Sequence, residues 1–148
     1  MDELVDRIRT HFADGCFACG RNNPRGLGID GFLVDGDRVR AGFRPHPEHG
    51  GLVSQLHGGL SATALDEIMV WAGILLVGVL SVTGIMNLRY HDPVPSDADL
   101  VLTGWIEEQR GKRLRLAGTL AGVGTPDRPH VSASGLYLAT SGVEELLA

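Results

Sequence analysis

Residues 68 to 88, IMVWAGILLVGVLSVTGIMNL, contain no charged side chain. A segment of this length and polarity either crosses a bilayer or is covered on all sides by the rest of its own chain. Three features favour the second solution. Gly73, Gly78 and Gly84 interrupt the run. Its second half, SVTGIMNLRYH, is rich in strand formers rather than uniformly lipophilic. Asp66 and Glu67 stand just before it, with no basic anchor beside them. The sequence therefore predicts a buried helix from about 58 to 77, a turn, and a buried strand.

The flanking segments supply the cover. Residues 2 to 13 read as a short amphipathic helix, and 14 to 26, GCFACGRNNPRGL, as irregular and turn-rich. GIDGFLV and RVRAGFR flank Asp35-Gly36-Asp37, a hairpin signal. Residues 45 to 56 hold too much Pro and Gly to be regular. After the helix come alternating runs at 81–91, 99–108 and 113–123, then a last strand at 129–139. Pro93, Pro95 and Ser96 separate the first two, and Arg110-Gly111-Lys112 turns the second into the third. The pattern predicts an α+β fold: an antiparallel sheet, built as a meander, wrapped around one long central helix, with a short N-terminal helix. At 148 residues one main domain is expected, at 27–148, preceded by an N-terminal helix and Cys-containing loop at 1–26.

A net charge of -5 argues against nucleic-acid binding through bulk charge, and no helix-turn-helix segment is evident. The charged N-terminal residues do not read as an export signal, so a cytoplasmic location and two reduced cysteines are expected.

The start of the long helix carries chemistry. His57-Gly58-Gly59 offers bare backbone N–H groups at a helix N-terminus, which attracts negative charge. Asp66 follows nine residues after His57, among mostly apolar neighbours. At about 100° per residue the two lie on opposite sides of the helix. If both act on one substrate, the site is shared between two copies of the chain.

Three motifs together resemble the hotdog-fold acyl-CoA thioesterases, above all the PaaI-like and mammalian THEM-type branch. They are CFACGRNNPRGLGI at 16–29, HGGLSATALDE at 57–67 and TGIMNLRYHDPVP at 83–95. The resemblance implies hydrolysis of an acyl-CoA or related thioester without metal or redox cofactor. It places Asp66 on the catalytic acid, His57, Gly58 and Gly59 on the helix start that polarises the thioester carbonyl, and Thr83 on an assisting strand threonine. It also implies a homodimer or a dimer of dimers with sites between subunits. Related branches carry Asn or Gln six residues before the histidine; here that position is Gly51.

Thioester hydrolysis needs hydrogen-bond donors aimed at the developing oxyanion, and a base or nucleophile opposite. Asp66 suits either role, activating water or attacking directly. His57 suits substrate contact or helix capping equally well. Glu67, about 100° further round, reads as a surface acid. Ser61 is not a nucleophile elbow, because Thr63 stands where that motif needs Gly. Cys16 and Cys19 have the spacing of a zinc knuckle, with His46, His49 or a second chain as further ligands. With only two cysteines, packing of a turn is the simpler reading. Arg89, Arg110, Lys112 and Arg113 are candidates for the coenzyme A phosphates. Two other activities suit such a chain: hydration or dehydration of acyl thioesters, and acyl-CoA binding without catalysis.

Overall fold

The structure is a computed structural model that describes the backbone of residues 1–148 and the side chains of all but residues 12 and 13. The chain runs α1 (Asp2–Ile8), a π-helical turn (Arg9–Ala13), β1 (Asp30–Asp35), β2 (Arg38–Phe43) and a 3-10 turn (Pro47–His49). It continues through α2 (Gly58–Val77), β3 (Val79–Tyr90), β4 (Leu100–Arg110), β5 (Arg113–Gly122), β6 (Val131–Gly142) and α3 (Val143–Leu147). The short α3 was not among the sequence-based expectations.

The uncharged run divides at Gly78, whose left-handed conformation (φ 68°, ψ 30°) ends α2 and turns the chain straight into β3. Glycine adopts that conformation at no steric cost, which makes it a common helix terminator. Ala64, Leu65, Ile68, Met69, Trp71, Ala72 and Ile74 of α2 are buried against the sheet. The approach is close because β4 and β5 present glycine to the helix. A Cβ on Gly104 would fall 2.6 Å from the Ile68 carbonyl oxygen, and one on Gly118 would meet Ile68 and Met69 side chains.

All six strands form one antiparallel sheet in the order β1-β2-β4-β5-β6-β3. This corrects the simple meander. β4, β5 and β6 are joined by hairpins, but β3 lies at the far edge beside β6. The connection through Pro93 and Pro95 carries the chain from that edge back to the middle of the sheet. It is pinned on the way: Val94 is buried and its carbonyl accepts the Leu56 N–H at 2.8 Å. A β-bulge interrupts the β3–β6 ladder between Thr83 and Ile85.

The N-terminal segment packs into the same core through Val5, Ile8, Ala18 and Cys19. Arg9 is 3% exposed. Its guanidinium donates to Asp30 Oδ1 at 2.7 Å and to the Ile29 carbonyl at 2.6 Å, and it stands over the Phe32 ring. Phe32 in turn stacks on Trp71 of α2 at 4.3 Å between centroids.

Candidate active site

The amino end of α2 is capped by its own histidine. His57 Nδ1 accepts the Gly59 N–H at 2.9 Å, and the His57 carbonyl accepts from Leu60 and Ser61. Of the two readings open for His57, the structure shows the cap. It also separates the two glycines. Gly59 spends its N–H on the cap, whereas the Gly58 N–H meets no protein acceptor among the described residues. The Gly58 carbonyl accepts the Tyr90 hydroxyl at 2.6 Å. Gly58, Ser61 and Tyr90, with Leu56, His91 and Val94, help to line a cleft of about 320 Å³. At Gly51 a Cβ would fall 3.0 Å from the His57 Cα, so the backbone of His57 itself crowds that position.

Two turns further on, Asp66 is half-buried under the β3–β6 edge of the sheet. Thr83 Oγ1 and the Tyr137 hydroxyl each donate to Asp66 Oδ1, both at 2.7 Å. Oδ2 accepts no hydrogen bond from the described residues. One oxygen is thus clamped and the other is available. Tyr137 is fully buried, and burial together with the neighbouring Asp66 carboxylate drives its phenol far above its ordinary pKa. It therefore remains a donor at any working pH. Sequence reasoning missed Tyr137. The available signal was the alternation Val131, Ala133, Gly135, Tyr137, which puts a phenol on the inward face of a strand.

Glu67 departs from the expectation of a surface acid. It accepts the Trp71 indole N–H at 3.0 Å, and Cys16 Sγ lies 3.9 Å from the same oxygen. Burial pushes its carboxyl up to about 7. The reason is the loop of residues 14 to 26, which covers this side of α2. The Cys16 thiol is held below its ordinary range, chiefly by a hydrogen bond with Cys19 and also by backbone N–H groups of the turn. His46 and His49 are not beside the thiols. His49 accepts from the His46 N–H through Nδ1 and pairs through Nε2 with the Arg25 carbonyl.

The four candidate phosphate-binding cations do not form one cluster. Arg110 and Arg113 line a cleft of about 390 Å³ with Arg115, Glu108 and Leu136. Glu108 forms ion pairs with Arg110 and Arg115 there. Lys112 is exposed at the adjoining turn. Arg89 faces a different groove, with Asn87, Trp105 and Ser132.

Residues 54–120 match the family model of the thioesterase superfamily. No curated protein matches the chain by sequence. A solved thioesterase superfamily protein is 25% identical with a TM-score of 0.76, over 84% of this chain. The chain spans 60% of that protein's length. Zebra fish thioesterase superfamily member 2 is 16% identical, TM-score 0.73, with 95% of this chain and 97% of that one aligned. The PaaI protein of Escherichia coli, from the phenylacetic acid degradation operon, is 13% identical, TM-score 0.74, with 95% and 96% aligned. A Streptococcus mutans protein bound to acetyl CoA is 16% identical, TM-score 0.68, with 77% and 90% aligned. The sheet wrapped around α2 is thus the hotdog fold these solved structures share, and the part of the chain that holds the HGG helix start is similar to the thioesterase superfamily.

Proposed function

We propose that the protein hydrolyses the thioester bond of an acyl-CoA, or of a related acyl thioester, with Asp66 as general base or nucleophile. The clamped Asp66 carboxylate carries this reading. Thr83 and Tyr137 hold Oδ1, so Oδ2 is aimed without being consumed. In the base route Oδ2 takes a proton from water, the hydroxide oxygen bonds to the carbonyl carbon, and the thiolate leaves. In the nucleophilic route Oδ2 bonds to that carbon, the C–S bond breaks as the thiolate leaves, and water then cleaves the mixed anhydride. In both, the Gly58 N–H donates to the oxyanion. The acetyl CoA carried by the Streptococcus mutans neighbour supports a CoA ester as substrate.

The two halves of this site belong to different copies of the chain. Eight residues of helix separate Gly58 from Asp66, about 12 Å along the axis. Groups acting on one carbonyl must each come within about 3 Å of it. A second copy, docked in a homodimer or a dimer of dimers, can bring its helix start to the Asp66 of the first. Val82 and Ile85, beside Thr83 on the edge strand β3, are exposed apolar side chains suited to such an interface. Arg110, Lys112 and Arg113, with Arg115, are the cations proposed for the coenzyme A phosphates, and Arg89 is a separate contact.

The test is thiol release from a panel of acyl-CoAs, with Asp66→Asn and Asp66→Ala compared with the parent. The expected loss in kcat is at least about 100-fold for Asp66→Ala. Tight acyl-CoA binding with no thiol release by the parent protein would show a binding module, and water addition to an enoyl thioester would show a hydratase.

A further inference from the structure

We propose that Cys16, Cys19 and Glu67 bind a thiophilic divalent cation, zinc above all, through two thiolates and one carboxylate oxygen. One ligand atom from each residue lies within 4.8 Å of the other two. Tetrahedral zinc, with bonds of about 2.3 Å to sulfur and about 2.0–2.2 Å to oxygen, needs ligand atoms roughly 3.5–3.8 Å apart. Cys16 Sγ already stands 3.9 Å from Glu67 Oε1, close to that range.

The turn that carries the thiols is built and anchored. Gly20 N–H donates to the Cys16 carbonyl at 2.8 Å, closing the loop around the pair. A Cβ on Gly20 would fall 2.4 Å from the Cys16 nitrogen and 2.6 Å from the Asp14 carbonyl oxygen, so only glycine closes it. The Phe17 and Ala18 carbonyls accept from Leu27 and Ile29 on either side, which ties the turn to the start of β1. This arrangement holds two sulfurs against α2 on the side where Glu67 points.

Charge supplies the independent argument. Two thiols and a carboxylate converge, yet among the described residues no Arg, Lys or His forms an ion pair with Glu67. Its Trp71 partner is a neutral donor. Buried acids are ordinarily paired with a cation or bound to a metal. Two sulfurs and one oxygen select zinc over magnesium or calcium, which prefer all-oxygen sets. The Trp71 N–H fixes the carboxylate, as outer-shell donors do at metal sites. Binding releases the thiol protons to solvent and transfers no electrons. It fastens the loop of residues 14 to 26 to the helical turn that also carries Asp66, and it stands or falls apart from the thioesterase reading.

The test uses the full chain, reduced, stripped with a chelator and titrated anaerobically with cobalt(II). The expected result is one equivalent bound, with intense thiolate-to-cobalt charge-transfer absorption that zinc(II) bleaches. Cys16→Ser and Cys19→Ser should abolish the band, and Glu67→Gln should weaken binding at least about 100-fold, the upper end of what loss of an outer-shell partner costs. Circular dichroism checks that each variant is folded. No charge-transfer band in the reduced parent overturns the proposal, as does a band that survives both cysteine substitutions. If the cysteine variants do not fold, unchanged cobalt affinity in Glu67→Gln overturns it.

Discussion

Thr83 on β3 and Tyr137 on β6 are paired across the ladder, and their hydroxyls meet on one oxygen of Asp66, each at 2.7 Å. The β-bulge immediately after Thr83 shifts the register at this point. Bulges re-aim side chains, and they recur beside active sites. The pair positions a carboxylate that neither residue's own chain neighbourhood would reveal.

Tyr137→Phe and Thr83→Val each remove one donor from the carboxylate. A hydrogen bond to a charged group is worth about 1.5–3 kcal/mol, so each change should lower kcat by roughly 10- to 100-fold with little effect on KM. Because both donors serve one oxygen, the double variant should lose less than the product of the single losses. Steady-state kinetics of the four proteins checks this, and multiplicative losses would argue for two separate roles.

Gly58 is the first residue of α2, where proline is well tolerated, and a Cβ there would meet the Tyr90 ring only at ordinary contact distance. Gly58→Pro should therefore fold while losing the free N–H, at a cost of about 10²–10³ in kcat. If the site is shared within a dimer, as proposed, mixing it by subunit exchange with Asp66→Ala should restore about a quarter of parental activity, since half of random dimers would be mixed and each would hold one complete site. No recovery on mixing would confine the site to one copy.

His57→Ala should cost about 1 kcal/mol of stability in urea unfolding, the usual worth of an N-cap, while Asn at that position caps as well and should cost little. Near-parental turnover in His57→Asn would fit a capping role. A large kcat loss in a stable His57→Asn would instead place the imidazole on the substrate.

Asp30 sets an acid limit to stability. Burial works to raise its pKa, but the Arg9 guanidinium, the Gly31 N–H and the Arg21 charge outweigh it and hold the carboxyl below its ordinary value. A carboxyl depressed in the folded state adds stability above its unfolded pKa and loses it as pH falls through the folded one. Arg9→Met should therefore be less stable than the parent at neutral pH, with the gap narrowing below about pH 4. Urea midpoints across pH 2.5–7 measure it, and a gap that does not change with pH would exclude this linkage.

The long helix, its limits and the turn at Gly78 were legible because they depend on local pattern: an uncharged run, two starting glycines and a left-handed stop. Asp66 was legible because a carboxylate among apolar residues stands out. Tyr137 was not, since its role comes from a strand 71 residues away. Glu67 was misread because nothing in its own neighbourhood shows that the cysteine loop covers that side of α2.

Periodicity, capping residues and turn glycines act within a few residues, so the sequence by itself determined the central helix, the order of the strands along the chain and the acid on that helix. Strand order, with β3 carried past three hairpin-linked strands to lie beside β6, is decided by which edges and faces bury best together. Only the tertiary structure therefore decided that Thr83 and Tyr137 share Asp66, and that two thiols face Glu67.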